Sequence, residues 1–177
     1  MNILYLSDAK IPSRGTNSIQ IMKMCSAFTS AGADVTLVHP WVFQEKPEGY
    51  EGDTWKFYGV KNKFRIVTIP TLLTPFIRER KQLNRLFRSV PYLLFLFWRT
   101  LPFQKPVWIF SRSLLATLLA QKVRRLPWAA KKIQGITIEG HDLEGFKTQA
   151  NVVHACDSIV TITENLKNAL VNEVGID

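Results

Sequence analysis

Short apolar runs alternate with helical stretches along this chain, and that alternation constrains its fold more than any other feature. Asn2–Leu6 opens the chain as an apolar run and reads as a first buried strand. A polar loop, Ser7–Thr16, is punctuated by Pro12 and Gly15. Asn17 is placed to cap a helix, with Gln20 completing a capping box. Met22, Cys25 and Phe28 then recur at helical spacing, Ile21 and Met24 widen the stripe, and Gly32 marks its end. Val35–Val38 is a second strand, and a strand, helix and strand this close together favour a parallel pair with a right-handed crossover.

The alternation continues. Pro40–Asn62 has no period and reads as a long loop, before a third strand at Phe64–Ile69. Pro75–Thr100 is helical with an expected break near Pro91, because proline removes a helix hydrogen bond and crowds the preceding turn. Val107–Phe110, Gly135–Ile138 and Ser158–Ile162 read as further strands. Ser113–Arg125, Glu144–His154 and Glu164–Glu173 read as the helices that follow them, the last capped by Thr163. The expected fold is α/β: one Rossmann-like, doubly wound parallel sheet of about six or seven strands flanked by helices. Ligands of such sheets gather outside the carboxyl ends of the strands. The loops to inspect are therefore Ser7–Ser18, Ser111–Ser113, Glu139–Gly145 and Thr163–Asn165.

Those loops exclude some chemistry. Gly15 is not followed by the second glycine of a dinucleotide fingerprint, and no Gly-Lys-Ser or Gly-Lys-Thr phosphate loop exists. Gly15, Thr16, Asn17 and Ser18 form a helix start whose free N–H groups suit a phosphate or sugar oxygen, or else an ordinary capped helix. Arg112 leaves the fourth strand, where it would fork onto a phosphate or pair with an acid from another loop. Glu139, His141 and Asp142 put three ionisable groups within four positions of a strand end. His141 there is a candidate to orient a hydroxyl or stabilise developing charge, against a plain helix cap at Asp142. His39 and His154 have no such neighbours and read as structural.

Charge singles out a second region. Between Thr54 and Lys132 there are 17 Lys or Arg and one acid, a net +16, and the remainder carries −7. The same region holds the block PYLLFLFWRTLPF and Trp128, so Arg85, Arg88, Trp98, Arg99 and Trp128 are candidates for contact with an anionic membrane surface. The competing reading is a core helix covered by ordinary bases. Nucleic acid is disfavoured, since no RRM, KH or zinc-finger signature occurs. The longest apolar run, Val90–Trp98, is nine residues, against about 20 for a membrane span. The opening MNILYLSD lacks the pattern of a secretory leader, and two distant cysteines match no metal-ligand spacing and suit a reducing compartment. The expected place is the cytoplasm, with peripheral contact on the inner face of the membrane as the further option. No metal site is expected.

With these stretches read, the chain resembles the N-terminal half of GT-B glycosyltransferases of the family 4 type. The likeness rests on MNILYLSD, IPSRGTNSIQIMKMCSAFTSAGADVTLV, FYGVKNKFRIVTIP, FSRS, ITIEGHDL and SIVTITENLKNALVNEVGI, in order over nearly all 177 residues. It implies that 1–177 is the acceptor-side domain of a two-domain retaining enzyme. A C-terminal domain, not in this chain, would hold most of the nucleotide-sugar donor. The first loop, with Gly15, Thr16, Asn17 and Ser18, would lie against donor phosphates and acceptor; Arg14 stands where the family often has a second glycine. His141 matches the family histidine lining the reaction centre, with Glu139 and Asp142 beside it, and Arg112 matches a recurrent arginine. The implied partner is a saccharide or lipid-linked acceptor of a cell-envelope glycan. No cofactor is implied for this chain, and the chain alone is expected to transfer no sugar. The alternative is a noncatalytic module that binds anionic membrane.

Overall fold

A computed structural model describes residues 1–41, 46–70, 81–101, 104–140 and 143–176, with backbone alone for 81–88. Six strands form one parallel sheet: β1 (Asn2–Leu6), β2 (Asp34–Pro40), β3 (Arg65–Ile69), β4 (Val107–Ser111), β5 (Ile133–Gly140) and β6 (Ser158–Thr161). Their order is β3-β2-β1-β4-β5-β6, so the direction of winding reverses between β1 and β4. This is the doubly wound, Rossmann-like topology, and the reversal is where such sheets open a crevice.

The helices are α1 (Thr16–Ser30), α2 (Thr54–Phe57), α3 (Lys81–Arg99), α4 (Leu114–Arg124), α5 (Pro127–Ala130), α6 (Leu143–Thr148), α7 (Ala150–His154) and α8 (Glu164–Ala169). A π-helical turn, Leu170–Val174, continues α8. Strand periodicity assigns the two faces. Ile3, Tyr5, Val35, Leu37 and Phe110 point to the face covered by Ile21, Met22 and Cys25 of α1. Leu4, Leu6, Val38, Ile109 and Ile136 point the other way, onto Tyr92 and Leu96 of α3 and Ala116, Leu119 and Val123 of α4. Ile138 closes a smaller cluster with Phe146, Val153 and Leu170.

Several expectations need correction. Helix α1 starts two residues early: Gly15 is its N-cap, with no side-chain cap bond, and the Gly15 N–H donates to Ser13 Oγ at 3.0 Å. Asn17 therefore lies inside the first turn instead of capping it. The expected loop before β3 contains α2, held by the Asp53 carboxylate accepting the Lys56 N–H at 2.9 Å. Helix α3 runs through Pro91 without a break. Proline costs about 3 kcal/mol in a helix interior, whereas burying Tyr92 and Leu96 on the sheet returns about 1.5–3 kcal/mol each. Packing therefore carries the helix past the proline. The helix expected over Glu144–His154 divides at Gln149 into α6 and α7.

Candidate functional site

The carboxyl ends of β1, β4 and β5 bring a set of polar side chains to one face of the sheet. The register explains how. Tyr5 pairs with Phe110, and Phe110 with Thr137, so these three side chains share the α1 face. Two residues further along, Arg112 and Glu139 have the same parity and project to that face. The Tyr5 hydroxyl donates to Glu139 Oε2 at 3.1 Å. Arg112 Nε lies 3.7 Å from the same oxygen, and both side chains are only 5% exposed. Arg112 Nη2 donates to Gln20 Oε1 on α1 at 3.1 Å, which ties the cluster to the first turns of that helix.

Electrostatics keep Tyr5 a donor. Burial pushes its phenol far above the ordinary value, and the neighbouring Glu139 charge adds to the rise. The same two causes, in the same order, raise the Cys25 thiol. Beside this cluster, Ser113 Oγ donates to Asp8 Oδ2 and accepts the Ala116 N–H at 3.2 Å, so one hydroxyl both caps α4 and anchors the first loop. The Arg112 N–H donates to the Leu6 carbonyl at 3.1 Å, continuing the β1–β4 pairing past the strand ends.

The first loop is fixed from beneath. Ser18 is buried and its hydroxyl donates to the Lys10 carbonyl at 2.8 Å, so it faces the loop interior. The Tyr58 hydroxyl accepts the Ser13 N–H at 2.6 Å and donates to the Ser13 carbonyl at 2.8 Å. Gly15, Thr16 and Asn17 remain exposed. Next to them a cleft of about 420 Å³ is lined by Ser13, Arg14, Ile19, Gly49, Lys56 and Phe57. Its rim carries both signs of charge, with Arg14 against Glu48 and Lys56 against Glu51.

At the exit of β5, Gly140 lets the chain enter α6. A β-carbon there would collide with the ring of Phe146. His141 and Asp142, between Gly140 and α6, lie outside the described residues. Glu139 is part of β5 itself. His39 is buried between the Pro40 carbonyl and Thr68 Oγ1, each at 3.1 Å, and burial lowers its pKa. Exposed His154 contacts the Val174 carbonyl at 3.0 Å. Of the membrane-contact candidates, Trp98 and Trp128 are exposed, while Arg99 is partly buried and donates to the Lys105 carbonyl at 2.9 Å. The side chains of Arg85 and Arg88 lie outside the described residues. Among the described residues, no helix is long and apolar enough to cross a membrane, and no three metal-ligating side chains cluster.

The structure therefore joins Arg112, Glu139 and the start of α1, which the sequence treats as separate loops. It adds Tyr5, Asp8, Gln20 and Ser113. Ser113 lies in a loop that the parallel topology already singles out, and Asp8 in another. Tyr5 gives no signal, since a tyrosine inside an apolar strand looks like core. What fold and site define together is a doubly wound α/β domain with a buried polar cluster at its topological switch point. No protein-family model matches this chain, and no curated protein matches it significantly.

Proposed function

We propose that this chain is the acceptor-side domain of a two-domain retaining glycosyltransferase that moves a sugar from a nucleotide-sugar donor to a glycan or lipid-linked acceptor. The observation that carries the reading is the Tyr5–Glu139–Arg112–Gln20 cluster, at the carboxyl ends of the central strands and beside an exposed helix start. A carboxylate and a guanidinium held by the fold suit saccharide hydroxyls, which both donate and accept. In transfer, an acceptor oxygen bonds to the anomeric carbon, the bond from that carbon to the nucleotide diphosphate breaks with its electron pair leaving on the phosphate oxygen, and that departing oxygen takes the acceptor's proton. In this reading the present chain orients the acceptor and lines one wall, with His141 at the reaction centre. A second domain brings the donor. Orientation of this kind is a large part of such catalysis.

Saturation-transfer NMR of the 177-residue chain with panels of oligosaccharides and nucleotides tests the proposal. We expect contacts to saccharide that weaken in Gln20→Ala, an exposed position whose change leaves the core intact. Saturable nucleotide binding without saccharide binding would overturn the acceptor-side assignment. Sugar transfer by this chain alone, tracking its concentration through a column, would overturn the two-domain assignment.

A further inference from the structure

Helix α3 is apolar around its whole circumference from Val90 to Trp98. Tyr92 and Leu96 are fully buried, and Leu93 and Phe95 pack partly against the same core. Val90, Leu94 and Phe97, spaced by four and three residues, fall on the opposite side and are 43%, 66% and 46% exposed. Trp98 is exposed beside them, and Trp128 of α5 meets the Phe97 ring edge-on at 5.6 Å. Single exposed apolar residues need no explanation, but a patch at helical spacing shared by two helices does. A helix apolar on all sides is normally covered on all sides.

Charge along the chain segment that carries the patch has one sign, while Asp34 of β2 and Arg65 of β3 act on Arg99 from the neighbouring strands. No Asp or Glu occurs between Glu79 and Glu139 in the sequence. Lys105, Arg125 and Lys131 are exposed close to the Phe97–Trp128 contact in the chain. Arg99 donates to the Lys105 carbonyl and Lys132 to the Gln104 carbonyl at 2.6 Å, which holds that turn against the end of α5. The aromatic end of the patch lies by the amino ends of β4 and β5, at the other end of the sheet from the Arg112–Glu139 cluster. We infer that this face of α3 and α5 docks on an anionic lipid bilayer: Leu94, Phe97, Trp98 and Trp128 enter the headgroup–acyl boundary while Lys105, Arg125 and Lys131 meet lipid phosphates. The residue types fit that occupant. Tryptophan and phenylalanine favour the headgroup layer, aliphatic tips enter the acyl region, and bases are drawn to anionic lipid. A nucleic acid would use the rings for stacking and gain nothing from Val90 and Leu94. The inference stands apart from the glycosyltransferase reading and holds if that reading fails.

Vesicle co-sedimentation of the full chain tests it, using phosphatidylcholine alone and a roughly 3:1 mixture with phosphatidylglycerol, whose anionic charge attracts bases. Expected is binding to the anionic vesicles, at least about tenfold weaker on neutral ones and weakened by salt. Leu94→Glu with Trp98→Glu should reduce binding by about tenfold or more, as should Lys105→Glu with Lys131→Glu. Unchanged thermal melts would show that both variants fold. No binding to the mixed vesicles, equal binding to both kinds, or parent-like binding by the Leu94→Glu, Trp98→Glu variant overturns the inference. A dimer in sedimentation velocity that Leu94→Glu dissolves would assign the face to a second copy. Binding to nucleic acid in place of vesicles would assign it there. Either result also overturns the inference.

Discussion

Two arginine–carboxylate pairs stand at opposite ends of the sheet and are built differently. At the amino end, Arg124 meets Asp157 with two contacts, Nη1 to Oδ2 and Nη2 to Oδ1 at 3.2 Å, and Oδ2 also accepts the Ile136 N–H at 2.8 Å. Both side chains are about one-third exposed, at 31% and 34%. At the carboxyl end, Arg112 and Glu139 are nearly buried, and their 3.7 Å separation exceeds a hydrogen bond. The first pair keeps much of its hydration and has forked geometry, so it serves as a fastening between α4, β5 and β6. The second gives up hydration, and its charges meet off-axis while Tyr5 donates to Glu139 and Gln20 accepts from Arg112. A buried pair is weak evidence for stability, and what marks this one as the candidate site is its place at the strand ends beside the exposed start of α1.

The contrast breaks first at Glu139. Glu139→Ala removes the acceptor of a buried phenol and the carboxylate beside a buried guanidinium. The expected loss is about 3–5 kcal/mol, a fall in Tm of roughly 10 °C. Glu139→Gln keeps an oxygen for Tyr5 and should lose less than half as much. Asp157→Ala should cost about 1 kcal/mol. Equal losses at the two ends in thermal melts would erase the difference between fastening and site. Next in size is Gly140→Ala, which drives a methyl into the Phe146 ring and should cost about 1–3 kcal/mol by chemical denaturation. A neutral result there would mean that α6 shifts freely, and the exit of β5 would not be a fixed platform for the residues after it.

Much of this frame is legible in the sequence. Each strand has an apolar centre between turn residues, and the expected bounds miss by up to two residues: Val107–Phe110 ends one short of β4, and Gly135–Ile138 falls two short of β5 at both ends. The site is less legible because it depends on pairing. Arg112 and Glu139 meet only through the β4–β5 register, which shifts at Val107 and Trp108, and no local pattern encodes that shift. Four-residue helices such as α2 and α5 are too short to show a helical period. Pro91 misleads for a different reason. Local propensity argues for a break, and the burial of Tyr92 and Leu96 overrides it.

The smallest expected effect comes from the titration of Asp157. Burial pushes its carboxyl up, but the hydrogen bond from Arg124 and then the Ile136 N–H outweigh it and hold the pKa below the ordinary range. A depressed folded value gives stability that is complete above the unfolded pKa of about 3.9 and is lost as pH falls through the folded value. The contribution is under about 1 kcal/mol, because water reaches both partners. Asp157→Asn keeps an oxygen for the Ile136 N–H and removes the titration. Denaturant melts from neutral pH down to about pH 2 should show a shallower acid limb in the variant than in the parent. Raising the salt should shrink the parent's excess, since the pair is reached by ions. Identical acid limbs would show that the fork is not formed in solution, and the amino-end fastening would then rest on the backbone pairing of β5 and β6 and on the Ile136 N–H bond to Asp157.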